Sequence, residues 1–275
     1  KSRLRSWTRL ARSLAAGDTE VVLAEETDLQ PGDLLAFAPT GWWVEEAEDA
    51  VVANVSDGGR MVKLTAPLKY PHLGEHTVLP GGRDVDTRGE VGVLSRSIVV
   101  QGDQYSDRWS YGAIMTTAGS VANRAVDGPA VMKLANVELR KVGQTNALGR
   151  YPVHWHMTGP TSDSYVRNCS IHHTFQRAVA LHGCEGVAVE HNVAYDVQGH
   201  AFFIEDGSEV SNALRYNLGI KVQPLTGLMQ ADMTPAVFWI TNTANDIVGN
   251  VAAGSAFHGY WIQPEMHPSG PSARA

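Results

Sequence analysis

The chain has 275 residues, 43% hydrophobic and 19% charged, enough to bury a substantial core as one long domain or a domain with a lead-in. Its formal charge of −7 gives no electrostatic reason to bind nucleic acid or an anionic membrane, so an anionic partner would need a local basic patch. No apolar run reaches the roughly 18 to 20 residues of a spanning helix, and 27 glycines punctuating short segments suit strands and turns better than a helical bundle.

Residues 1–12 form a basic stretch. The start at Lys1 in mid-run and the trailing Pro268-Ser269-Gly270-Pro271-Ser272 read as an excerpt from a longer protein, so a missing signal peptide says nothing of destination. To about Pro80 the pattern predicts short strands. Residues 19–23 lead through a turn at Gln30-Pro31-Gly32-Asp33 into residues 34–37. Residues 51–55 and 61–64 flank Ser56-Asp57-Gly58-Gly59, a hairpin signal. The acidic run Glu45-Glu46-Ala47-Glu48-Asp49 is expected to be a solvated edge that discourages edge pairing. His72, His76 and His267 sit in loop-like contexts and are expected to be exposed.

The second part repeats. Asn168, Asn192 and Asn217 follow short strand-like runs at intervals of 24 and 25 residues, and Asn136 and Asn250 fit the same register with insertions between. After the first two, small and β-branched residues lead into His182-Gly183 and Asp206-Gly207. A period near 24 with no helical periodicity predicts an all-β parallel β-helix, in which stacked coils bury one continuous core. Asn168, Asn192 and Asn217 are then expected to form an amide ladder between coils. Asn54-Val55-Ser56 and Asn168-Cys169-Ser170 fit the N-glycosylation pattern, but a ladder position makes Asn168 a poor acceptor. Cys169 and Cys184 are expected to be small buried thiols, with a disulfide left open.

The chemistry-bearing residues centre on Leu148-Gly149-Arg150-Tyr151-Pro152-Val153-His154-Trp155-His156-Met157. Residues two apart in a strand share a face, so His154 and His156 project together. With Val153, Leu181 and Ile204 as interior positions of successive coils, His154, His182 and Glu205 point outward, about 4.8 Å apart from coil to coil. Counting from the asparagines instead sets His182 beside Asp206. His154, His156, His182 and His200 could hold a divalent metal such as Zn²⁺. Equally, His154, His182, Glu205 and Asp206 could supply acid and base to a glycosidic bond, with Arg150 and Arg177 gripping an anionic sugar. The competing view is that these are turn histidines bonded to backbone carbonyls. Trp239, Tyr260 and Trp261 are expected to be core or groove walls. No Gly-rich phosphate loop, nucleophile elbow or Cys-x-x-Cys pair is present.

Several stretches resemble a known group. They are Asp86-Thr87-Arg88-Gly89-Glu90-Val91-Gly92-Val93-Leu94-Ser95-Arg96, the run ending His154-Trp155-His156-Met157, Gly199-His200-Ala201-Phe202-Phe203-Ile204-Glu205-Asp206-Gly207, and Phe238-Trp239-Ile240-Thr241-Asn242. In this order they are similar to the region shared by fibrocystin, fibrocystin-L and the cell-surface hyaluronidases (CEMIP-type). Met233-Thr234-Pro235-Ala236 lies closer to the fibrocystin-L side. The resemblance implies an eight-glycine region, cut at its start, over residues 1–85. A right-handed parallel β-helix over 86–265 and a loop-like tail over 266–275 follow. It implies an extracellular or cell-surface protein, ciliary in some members, whose partners are glycans or other surface proteins. The group divides between adhesion or assembly modules with no assigned activity and enzymes that cut hyaluronan, and fold kinship does not choose between them.

Overall fold

The computed structural model describes residues 2–119, 130–227 and 229–274. The first part is a six-stranded antiparallel sheet in the order Trp7–Arg9, Glu90–Val93, Leu34–Phe37, Glu48–Ser56, Met61–Leu64, Glu20–Val22. Alternation sets its sides: Val62 and Leu64 are buried while Met61 and Lys63 face solvent. Val62 and Leu64 join Leu23, Leu35, Phe37 and Val91 in one core. The hairpin turn carries Asp57, Gly58 and Gly59 at positive φ. A Cβ on Gly59 would lie 2.1 Å from the Thr27 carbonyl oxygen, so only glycine fits there.

Two expectations fail in this part. Glu48 is not on a solvated edge; its carboxylate accepts the N–H groups of Lys69 and Tyr70 and lies 3.2 Å from His72 Nε2. His72 is 1% exposed, with Nδ1 2.8 Å from the Ala38 carbonyl oxygen. The connection through residues 65–75 folds over the strand and buries backbone donors that need an acceptor, which Glu48 supplies. His76 and His267 are exposed, as are Glu45 and Asp49. The antiparallel unit also runs further than residue 85. Glu90–Val93 pairs with both Trp7–Arg9 and Leu34–Phe37, and the first parallel strand is Ile98–Gln101.

From there the chain is a parallel β-helix of three sheets. The sheet that bears the site stacks Met115–Ala118, Val153–Pro160, Val179–Glu185, Phe202–Ile204, Ala236–Ile240 and His258–Ile262. A second runs from Lys133–Ala135 through Tyr165–Arg167, Ala188–Glu190 and Ala213–Arg215 to Asp246–Val248. The third stacks Ile98–Gln101, Val137–Arg140, Ser170–Thr174, Val193–Gln198, Leu218–Gln223 and Val251–Ser255. Inward side chains of all three fill one core, including Val153, Trp155, Leu181, Ile204, Val189 and Val197. The third sheet is apolar on both faces because its outer face is also covered. Val193, Tyr195, Leu218 and Ile220 pack on Ala36, Ala38 and Leu94, joining the antiparallel part to the β-helix.

An amide ladder exists, displaced by one residue at its start. Asn192 donates to Asn217 Oδ1 at 3.0 Å, and Asn217 to Asn250 Oδ1 at 2.9 Å. Below them the ladder position is Cys169, whose N–H donates to Asn192 Oδ1. Asn168 instead shares the preceding, left-handed corner with Asn136, His191, Tyr216 and Gly249, all at positive φ. Asparagine tolerates that conformation, so it suits both columns and the sequence does not separate them. A second ladder, Asn212 to Asn245, lies outside the expected set. Cys169 and Cys184 are free and buried. Trp239 is half-buried and Tyr260 and Trp261 are exposed, each in a stacked aromatic column that runs to the last coil. Among the described residues no helix is long and apolar enough to cross a membrane.

Candidate functional site

Val153, Leu181 and Ile204 are interior, which sends His154, His156, His182 and Glu205 to the outer face of the same sheet. The expected coil-to-coil register is off by two residues at its first step. Val153 pairs with Val179, Trp155 with Leu181, and Leu181 with Ile204. His156 therefore sits directly beside His182, and His154 beside Ala180, with Phe203 one coil further on. Parity survives a shift of two, so the sidedness is unchanged.

Three imidazoles converge: ligand atoms of His154, His156 and His182 lie within 4.8 Å of one another. His156 Nδ1 is 3.1 Å from His182 Nδ1, and the rings of His154 and His182 stack 6.1 Å apart at 6°. His154 donates from Nδ1 to the Gly149 carbonyl oxygen at 2.9 Å, which leaves Nε2 as a lone pair. That nitrogen is buried without a partner among the described residues. Burial holds His154 down to about 3, so it stays neutral in ordinary buffers. Burial, then the neighbouring His182, also lowers His156.

Two carboxylates also face His182. Asp206 Oδ2 is 2.7 Å from His182 Nε2, and Glu205 Oε2 is 3.7 Å from His182 Nδ1. Both arrangements expected from the sequence thus occur at once, one on each ring nitrogen. Burial opposes charge on His182, but the Asp206 hydrogen bond and the charge of Glu205 outweigh it and raise its pKa. Burial raises Glu205. For Asp206 burial works the same way but is outweighed by the bond to His182, and its pKa falls. Adjacent carboxyls are thereby pushed in opposite directions, one toward a proton donor and one toward a permanent anion.

His200 and Arg177 do not join this group. His200 Nδ1 accepts the Ala236 N–H at 3.0 Å, and its ring packs on Phe203 and Trp239. With that nitrogen engaged and the ring sealed, it is no ligand for the three-histidine centre. Arg177 is fully buried: Nε donates to Asp232 Oδ1 at 2.9 Å, Nη1 to the Tyr151 hydroxyl at 3.1 Å, and the guanidinium lies 3.9 Å from the Phe203 ring centre. It cannot reach a sugar on the surface. Arg150 is exposed.

Three contributors lie outside the expected set. Glu209 is fully buried and accepts the Gly183 and Gly207 N–H groups, fixing the Glu205-Asp206 turn against the previous coil. A carboxylate just after Asp206-Gly207-Ser208 is the turn signal that could have revealed it. The Ser272 N–H donates to Asp206 Oδ2 at 3.2 Å and the Ser269 N–H to the Asp206 carbonyl oxygen, so residues 269–272 lie over this carboxylate. Asp232, the partner of Arg177, comes from the connection through residues 224–235, and no local pattern announces it.

The CEMIP beta-helix family model matches residues 122–275. The chain is 38% identical to human fibrocystin-L across 97% of its own length, spanning 7% of that protein. It is 30% identical to the human cell surface hyaluronidase CEMIP2 across 92% of its length, spanning 20% of that protein. Among solved structures it is similar to the catalytic unit of a GH87 alpha-1,3-glucanase from Streptomyces thermodiastaticus, at 12% identity and a TM-score of 0.36 over 94% of the chain and 70% of that structure. With stacked parallel coils in three sheets and a family match over more than half its length, the chain belongs to the CEMIP β-helix family.

Proposed function

We propose that the chain is the β-helical module of an extracellular or cell-surface protein of the fibrocystin-L type, acting in adhesion or assembly through glycan contact, with a divalent-metal centre at His154, His156 and His182. A ciliary setting and other surface proteins as partners belong to the same reading. The observation that carries the metal centre is the convergence of three imidazoles, two of them already oriented through their second nitrogen by Gly149 and Asp206. Such second contacts fix ring orientation and tautomer at histidine metal sites. Three imidazole ligands would suit Zn²⁺ and leave a fourth position open; Glu205 Oε2, 3.7 Å from His182 Nδ1, is buried without a hydrogen-bond partner among the described residues.

A second reading, a polysaccharide-degrading enzyme of the hyaluronidase type, is favoured by the opposed shifts of Glu205 and Asp206. Against it, Asp206 is buried under residues 269–272, so a sugar reaches that carboxylate only if the segment lifts. The module reading needs no such opening.

Calorimetry with Zn²⁺ on the chain and on His154→Ala/His156→Ala tests the centre. Binding is expected in the first and lost in the second. Ligation needs neutral imidazole, so affinity should weaken as pH falls through the pKa of His182, which lies above 6.5. Equal binding by both proteins, or none by either, would leave the histidines as turn and surface residues. Hyaluronan cleavage that disappears in Glu205→Gln would favour the enzyme over the module.

A further inference from the structure

The basic stretch at the start of the chain plays no part in the histidine centre, although the protein is net acidic. The structure lays residues 2–9 of it along a groove of about 730 Å³ between Trp7–Arg9 and the left-handed corner of the β-helix. Four arginines and one carboxylate, Glu25, are among its lining residues. On the β-helix wall Tyr216 and His191 stack face to face, ring centres 5.1 Å apart at 14°, with Tyr216 45% exposed. Gly249 makes room for that ring, since a Cβ there would lie 2.4 Å from it. The Trp7 indole N–H donates to the Tyr216 carbonyl oxygen at 2.8 Å and ties the two walls together.

An exposed aromatic face offers the C–H face of a sugar ring an apolar seat, and guanidinium forks match carboxylate or sulfate groups. Arg3 is committed to Asp33 and to the Ser95 and Asp28 carbonyl oxygens, but the other three arginines keep donors unused. Among the described residues Arg5 meets only Glu25, in a pair 43% and 45% exposed; Arg9 bonds Glu90 and Asp86, and Arg88 forks onto Asp86 through Nε and Nη2, with no hydrogen-bond partner at Nη1. The exposed Arg5–Glu25 pair contributes little and exchanges readily for an incoming anion, and Arg88 can add its remaining Nη1 donor without releasing Asp86. We propose that this groove binds an acidic oligosaccharide, with a sugar ring on Tyr216 and its acid groups on Arg5 and Arg88. The groove shares no residue with the histidine centre, and the inference stands whether or not that centre holds a metal.

The test is calorimetry of the chain with a heparin-derived oligosaccharide, a hyaluronan-derived oligosaccharide and a neutral chitin-derived one. At least one acidic probe should bind, more weakly as salt rises, and the neutral one should not. Binding of both acidic probes, or of either alone, supports the site and identifies whether sulfate or carboxylate is the acid read. Tyr216→Ala and Arg5→Gln/Arg88→Gln should each weaken binding by roughly tenfold or more, whereas Tyr216→Phe and His154→Ala/His156→Ala should bind like the unmodified chain. Tyr216→Phe keeps the stacking surface and controls for folding. No binding of either acidic probe, equal binding of the neutral one, unchanged affinity in the groove variants, or loss in the histidine variant would overturn the proposal.

Discussion

Two buried polar clusters that contain histidine lie along one parallel sheet, and they differ in how their charge is answered. Around Arg177 the positive charge is met internally: Asp232 neutralises the guanidinium, Tyr151 takes an N–H, and His200 spends Nδ1 on the backbone of Ala236, although Asp232 Oδ2 and His200 Nε2 have no hydrogen-bond partner among the described residues. Around His182 the polar groups are oriented but incompletely used, with His154 Nε2 and Glu205 Oε2 lacking partners among the described residues. The first is a sealed ion pair, the second a set of aligned ligand atoms. Proximity of histidine to carboxylate is common to both, so proximity alone does not make a binding site. What separates them is whether ligand atoms of several side chains converge, as those of His154, His156 and His182 do within 4.8 Å, or surround a cation that already holds the site.

The widest separation should come from breaking the sealed pair. Arg177→Leu is expected to cost about 3 to 5 kcal/mol by leaving Asp232 as an uncompensated buried charge, whereas His156→Ala, half-buried, should cost about 1 kcal/mol. Denaturant unfolding measures both. Arg177→Leu/Asp232→Leu should regain much of the loss, and a double variant no better than the single would show that shape, not charge, holds this cluster.

Acid sharpens the contrast next. His154 has a folded pKa of about 3 against 6.5 when unfolded, so the unfolded chain binds the extra proton between those values. The native state therefore loses stability as pH falls from 6.5 toward 3, by a few kcal/mol. His154→Gln cannot take that proton. The stability gap between the two proteins should narrow on acidification across this window, and a constant gap would mean that His154 is not kept neutral by burial.

The smallest effect concerns His182, whose pKa moves the other way. Its interaction with Asp206 is strongest when the ring is charged, so the stabilisation is present below 6.5 and fades as pH rises through the raised folded value. Asp206→Asn should lower the His182 titration midpoint seen by NMR and cost about 1 to 2 kcal/mol at pH below 6.5. An unmoved midpoint would assign the shift to Glu205 instead.

How much of this the sequence disclosed follows the range of the interaction. Strand alternation and the 24- to 25-residue spacing are local signals, and they placed Val153, Leu181 and Ile204 inside and His154, His156 and His182 on one outer face. Register across the coils was harder. The strand Val153–Pro160 carries an irregularity between His156 and Gly159, and nothing in composition reports which residue of the next coil lies opposite. Asn168 looked like a ladder residue because corner and ladder positions are adjacent and both accept asparagine. Arg177 read as a surface grip because its partner is 55 residues away, and His72 read as exposed because Glu48 is 24 residues before it. Burial produced by a distant connection leaves no mark beside the residue it buries.

The connection that carries Asp232 has one more consequence. In one coil the chain passes from Gln198 to Phe202 through residues 199–201; in the next it passes from Gln223 to Ala236 through residues 224–235. The longer detour delivers the anion that Arg177, two coils earlier, requires. Coils of a solenoid are often treated as interchangeable parts, each contacting only its neighbours. Here two of them are bound as lock and key. Grafting the short connection into the longer coil would leave a cation stranded beside the core, so a designer who shortens one coil must edit the other in the same step.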